Sequence, residues 1–184
     1  MDFNQIVMRF SFFDMPVRVQ RSAQLGVIIM LVICTALALY FTDLTLLDSL
    51  VAGVLATLIF WLSDLVHQYG HFFIAKRIGK PSTGLTLWWV LGSTTYPRDE
   101  GRLTPQTHIK RASGGPIASV LFVLLWGSVA LAFWSVGGML QFLIGWALYV
   151  QIIVFTLGAL TPITMGGFNS DGAIILQSWR NLRK

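Results

Sequence analysis

Long apolar runs separated by short polar breaks dominate the chain. Ala23–Phe41, Leu50–Ala75, Ile117–Trp134 and Met139–Leu160 each come near the about 17–25 residues a helix needs to cross a bilayer. About four membrane-crossing helices are therefore predicted. The second run differs from the rest, because Ser63, Asp64, His67, Gln68 and His71 interrupt its C-terminal part. The main polar connection, residues 79–113, carries the stretch GLTLWWVLGSTTYP. Its alternation and its Gly and Pro boundaries predict a short strand-containing loop, and Trp88 and Trp89 suit a membrane–water interface. No repeat, low-complexity tract or flexible linker marks off a second unit, so residues 1–184 are expected to form one membrane-embedded domain.

Composition agrees with this class. At 55% hydrophobic and 11% charged residues, the chain has too little polar surface to face water all round. The net charge of +5 is unevenly placed. Arg9, Arg18 and Arg21 precede the first run, Lys76, Arg77 and Lys80 follow the second, Arg98, Arg102, Lys110 and Arg111 lie before the third, and Arg180, Arg183 and Lys184 close the chain. By the positive-inside rule both termini and the 79–113 loop are expected on the cytoplasmic side of a cell membrane. Anionic lipid headgroups account for the basic excess, and no basic-aromatic surface argues for nucleic acid. Ala36-Leu37-Ala38 resembles a signal-cleavage site, but the long lead with Asp2 and Asp14 and the apolar continuation to Phe41 favour a retained span. Cys34 is the sole cysteine, which excludes an intrachain disulfide or a cysteine-rich zinc site.

Candidate chemistry lies in the interrupted run. His67 and His71 are four apart and so share one helix face, with Asp64 three residues earlier on nearly the same side. Such groups are costly within a bilayer and are kept facing a cavity, an ion or a partner. A metal site or a proton or metal transport path would each use them. Catalytic zinc takes three protein ligands and leaves a position for water, so a third ligand is required: Asp171, His108, Asp64, Asp99 and Glu100 are the candidates. Asp171 fits the topology best, since Pro162, Gly166 and Gly167 in TPITMGGFNS let the chain turn back toward the end of the second span.

The run LSDLVHQYGHFFIAKRIG resembles the zinc-binding helix of the site-2 protease family of intramembrane metalloproteases, whose usual form is H-E-x-G-H. RASGGPIASVLF, residues 111–122, is similar to the family's Gly-Pro motif, PITMGGFNSDG, residues 162–172, to its Asp-Gly segment, and FFDMPVRVQ to its N-terminal lead-in. Together they cover roughly residues 12–178. The resemblance implies an all-α polytopic membrane protein with a three-helix core and one zinc ion on His67, His71 and Asp171. It further implies hydrolysis of peptide bonds in or near transmembrane segments of membrane-protein substrates, with the edge of the 84–96 strands holding an unwound substrate.

Two departures qualify that expectation. Gln68 occupies the general-base position of the family's glutamate, and a neutral amide takes no proton from water at ordinary pH. Base loss alone costs about 10²–10⁴-fold in rate. The chain is then a disabled metalloendopeptidase, a natural pseudoprotease that binds zinc and membrane-protein clients, or an enzyme using Asp64 or Glu100 as base. Asp64 is otherwise expected to orient an imidazole. Ala159 stands where the family often has an asparagine three residues before its proline, leaving Asn169 or Gln151 as substitute donors. Gly114, Gly115 and Pro116 read as the tight opening of the third span, Ser119 as a close-packing residue and His108 as solvated.

Overall fold

The computed structural model describes residues 2–165 and 168–183. Gly166 and Gly167, expected as breakers of the return loop, and Lys184, counted among the terminal charges, lie outside the described residues. Among the described residues, four helices are long and apolar enough to cross a membrane: Arg21–Phe41, Leu46–Arg77, Pro105–Val136 and Gly138–Gly158. Their outward residues, among them Ile28, Val32, Leu58, Leu121 and Leu131, stay exposed. Apolar side chains outward and polar ones inward is the arrangement lipid favours.

The chain opens with β1 (Ile6–Phe12) and β2 (Met15–Gln20), an antiparallel hairpin. Its turn residues Phe13 and Asp14 both have positive φ, 44° and 64°, the left-handed pair that a two-residue hairpin requires. The hairpin runs directly into α1 (Arg21–Phe41). Helix α2 (Leu46–Arg77) starts at Thr45, whose hydroxyl accepts from the Asp48 N–H. Strands β3 (Gly84–Trp88) and β4 (Leu91–Thr95) follow, and β2 pairs with β3 in parallel, so one four-stranded sheet runs β1-β2-β3-β4. Its apolar side, with Met15, Val17, Leu85 and Leu87, is buried with Ala23 of α1 and Phe72 of α2.

The prediction of strands within 84–96 holds, but the sheet is wider than expected, because residues 6–20 supply two of its strands. Helix α3 (Pro105–Phe133) also begins well before the expected Ile117. Thr104 caps it through the Thr107 N–H, and Pro105 supplies a preset φ in its first turn. Pro116 therefore lies inside the helix instead of opening it, and the polar connection is shorter than 79–113. After a short tight turn, Trp134–Val136, comes α4 (Gly138–Tyr149), continued by wide π-type turns over Val150–Gly158. A short hairpin, β5 (Thr164–Met165) and β6 (Phe168–Asn169), leads into α5 (Asp171–Leu182).

Helices α2 and α3 cross very closely. A Cβ on Gly70 would collide with the Gly114 carbonyl, and one on Gly114 would stand 2.5 Å from the Gly70 carbonyl oxygen. Missing side chains on both sides thus let the two backbones touch, as small residues do between membrane helices. That contact fixes the register between α2 and α3.

Candidate metal centre

His67 and His71 face α3 from successive turns of α2, and both are buried. On α3, Arg111, Gly115 and Ser119 repeat the same four-residue spacing and meet them. The His71 Nδ1 donates to the Arg111 carbonyl at 2.8 Å. A carbonyl only accepts, so this contact assigns the ring proton to Nδ1 and leaves the Nε2 lone pair free. It outweighs the longer approach of the Gly115 N–H to the same nitrogen, 3.2 Å, which needs the opposite tautomer. The His67 Nδ1 pairs with the Ser119 hydroxyl at 2.9 Å.

The third group comes from the far end of the fold. Ser170 caps α5 through the Ala173 N–H, donates to the Thr161 carbonyl at 2.6 Å and accepts from the Ile163 N–H at 3.0 Å. This knot brings Asp171, the first residue of α5, against the histidines. Asp171 Oδ2 lies 3.2 Å from His67 Nε2 and 3.3 Å from His71 Nε2, and the two Nε2 atoms are 3.2 Å apart.

These residues fit a zinc ion. Ligand bonds of about 2.0–2.1 Å in a tetrahedron put donor atoms about 3.3 Å apart, and the three observed separations match one face of that figure. With the His71 Nε2 lone pair aimed at a second imidazole nitrogen and a carboxylate, a cation is the natural occupant. Space is also reserved: a Cβ on Gly115 would sit 2.5 Å from His67 Nε2 and closer still to His71 Nε2. Among the described residues, this is the group of His, Cys, Asp or Glu side chains placed to hold a metal.

The centre opens into a cavity of about 730 Å³. Leu91 and Thr94 of β4, Phe155 and Ala159 at the end of the fourth span, and Phe168 and Ile174 line it beside His67, His71 and Asp171. Asn169 lines it too, whereas Gln151 does not; Gln151 is fully buried, with both amide atoms unpaired among the described residues. The Arg111 side chain closes one flank. Its guanidinium bonds both Glu100 oxygens, at 2.8 and 2.6 Å, and lies 4.2 Å from the centre of the Tyr96 ring. These hydrogen bonds hold the Glu100 carboxyl below its usual range.

Of the other ligand candidates, His108 and Asp99 are exposed, Glu100 is committed to Arg111, and Asp64 is fully buried beneath Gly92. Asp64 accepts from neither imidazole, so the expected orienting role falls instead to Ser119 and the Arg111 carbonyl. Ser119, expected from the sequence to pack between helices, instead holds an imidazole. The missed signal is the Arg111, Gly115, Ser119 spacing, which mirrors that of His67 and His71 on an antiparallel neighbour.

Fold and site together define a multi-pass helical membrane protein with a buried His-His-Asp cluster able to hold a metal. No family profile matches the chain, and no curated protein matches it. Among solved structures it is similar to the Site-2 Protease from Methanocaldococcus jannaschii, with a TM-score of 0.60 and 17% identity over 96% of this chain and 72% of that one. The likeness shows a site-2-protease-like fold.

Proposed function

We propose that this chain is an intramembrane zinc protein of the site-2 protease type, acting on transmembrane segments of other membrane proteins, with turnover suppressed by Gln68. The observation that carries this reading is the convergence of His67 Nε2, His71 Nε2 and Asp171 Oδ2 at tetrahedral-edge separations within one cavity. His67, His71 and Asp171 hold the zinc, while Ser119 and the Arg111 carbonyl fix the two imidazoles. Zinc, when bound, supplies a Lewis acid that polarises a carbonyl oxygen and makes water more acidic. The apolar cavity walls receive a membrane segment, Asn169 offers a donor to a carbonyl, and β4, at the edge of its sheet, pairs with the segment once unwound. The basic ends of the spans support an orientation with both termini and the metal on the cytoplasmic side of a cell membrane.

Gln68 stands where the reaction needs a base, and its amide has no basic lone pair to offer. Turnover is therefore expected about 10²–10⁴-fold below that of a chain with a working base. A binding role without cleavage is a second reading, favoured because both ends of the Gln68 amide are engaged by β4 instead of facing a substrate.

Metal content and cleavage of a panel of single-span substrates test the proposal, compared between this chain and Gln68→Glu with and without Asp64→Asn. One retained zinc per chain and cleavage gained with a carboxylate at 68 is the expected result. Tight zinc with no cleavage in any variant favours the binding role. Absence of zinc, or metal flux across vesicles in place of retention, overturns the reading.

A further inference from the structure

The Gln68 side chain is used at both ends. Its Nε2 donates to the Gly92 carbonyl at 3.0 Å, and its Oε1 accepts from the Thr94 hydroxyl at 2.7 Å. Gly92 and Thr94 are alternate residues of β4, the edge strand of the sheet, so one side chain of α2 grips that strand at two points. Asp64 stands one helical turn earlier and is fully buried. Its carboxylate approaches the Gln68 side chain and the Gly92 backbone, yet neither oxygen has a partner in hydrogen-bonding geometry among the described residues. Both side chains crowd one spot: a Cβ on Gly92 would lie 2.6 Å from Asp64 Oδ2 and 3.2 Å from Gln68 Cγ.

We propose that position 68 in this chain is a positioning site built for an amide, in which Gln68 clasps the edge strand β4 to the metal-bearing helix and Asp64 disfavours a carboxylate there. Of the groups that fit this space, an amide carries both the donor that the Gly92 carbonyl requires and the acceptor that the Thr94 hydroxyl requires. Its second N–H remains available on the side of Asp64. A glutamate at 68 keeps the acceptor, loses the donor, faces the Gly92 carbonyl with negative charge and adds a second buried acidic group beside Asp64. The residue thus acts through β4 by setting how firmly that strand is held against the cavity. The bearing of this clasp on client capture rests on the site-2-protease reading above; the clasp itself does not.

Hydrogen–deuterium exchange on the full chain in detergent micelles, with zinc content measured in parallel, tests it across wild type, Gln68→Glu, Gln68→Ala and Asp64→Asn/Gln68→Glu. Gln68→Glu is expected to speed exchange over residues 91–95 by about tenfold, the scale of one lost buried hydrogen bond, with residues 111–119 unchanged. The double variant is expected to recover part of that protection, because an asparagine at 64 donates to the new carboxylate. Wild-type exchange in Gln68→Glu, or no recovery in the double variant, overturns the proposal. Where Gln68→Glu does not fold, Gln68→Ala removes the clasp without adding charge. A rise confined to 91–95 in that variant supports the proposal, and unchanged or uniformly raised exchange overturns it. Zinc and cleavage decide the metalloprotease reading separately, so either can fail without the other.

Discussion

Replacing Gly115 with alanine adds one carbon at the point where α3 passes the two imidazoles. That carbon would stand 2.5 Å from His67 Nε2, 2.6 Å from His67 Cε1 and nearer still to His71 Nε2. An ordinary contact needs about 3.5 Å, so the rings must retreat by about 1 Å or the helices must part. The adjacent Gly114 is already packed against the Gly70 backbone, so the imidazoles are the groups expected to move. A shift of that size is several times the tolerance of about 0.2 Å on a metal–ligand bond, and it affects both proposed nitrogen ligands together. Zinc affinity is therefore expected to fall by more than the about 10–100-fold that follows loss of an outer hydrogen-bond partner. Competition against a chromophoric zinc chelator in detergent measures this, with circular dichroism to verify the helices. Gly127→Ala, on the same helix but with nothing within 4 Å among the described residues, serves as the control and should bind as wild type. Equal zinc affinity in Gly115→Ala and wild type would refute the reasoning.

Other perturbations test separate parts of the account. Ser119→Ala removes the partner of His67 Nδ1 and should weaken zinc by about 10–100-fold without unfolding the bundle, as read in the same competition assay. Gly70→Ala forces overpacking between α2 and α3 and should destabilise the protein by about 1–3 kcal/mol, measured by thermal unfolding in detergent. Tyr96 has its pKa pushed up to about 12, chiefly by burial and against the pull of Arg111. Because the folded value is raised above the free value of about 10, its stabilising contribution is complete below that pH and is lost as pH climbs through about 12. Ultraviolet titration of phenolate formation should include a late component that Tyr96→Phe removes.

The crossing helices are legible in the sequence because lipid demands long uninterrupted apolar runs, and few soluble alternatives share that pattern. The start of α3 is not legible by that rule. Residues 105–116 include His108, Lys110 and Arg111 and lack a span's hydropathy, so the helix there is signalled by the Thr104 and Pro105 cap and continued through Pro116. The β1–β2 hairpin is hidden for a related reason: its pairing with β3 joins segments about seventy residues apart, and neither part is strongly patterned alone. At the site, His67 and His71 declare themselves through periodicity within one helix. Asp171 requires a topological step, and its position as the first residue of α5 depends on the Ser170 knot, which local pattern does not reveal. Ser119 and Gly115 are least visible, since small residues between membrane helices ordinarily mean close packing. Their role comes from facing a pair of histidines on a neighbouring helix.

Metal analysis of the purified chain, paired with that of His67→Ala and Asp171→Ala, bears most directly on the central claim. One zinc per wild-type chain, retained through dialysis and lost in both variants while the helices persist, is the predicted result. A wild-type chain without zinc, or an Asp171→Ala chain that keeps it, would contradict the account.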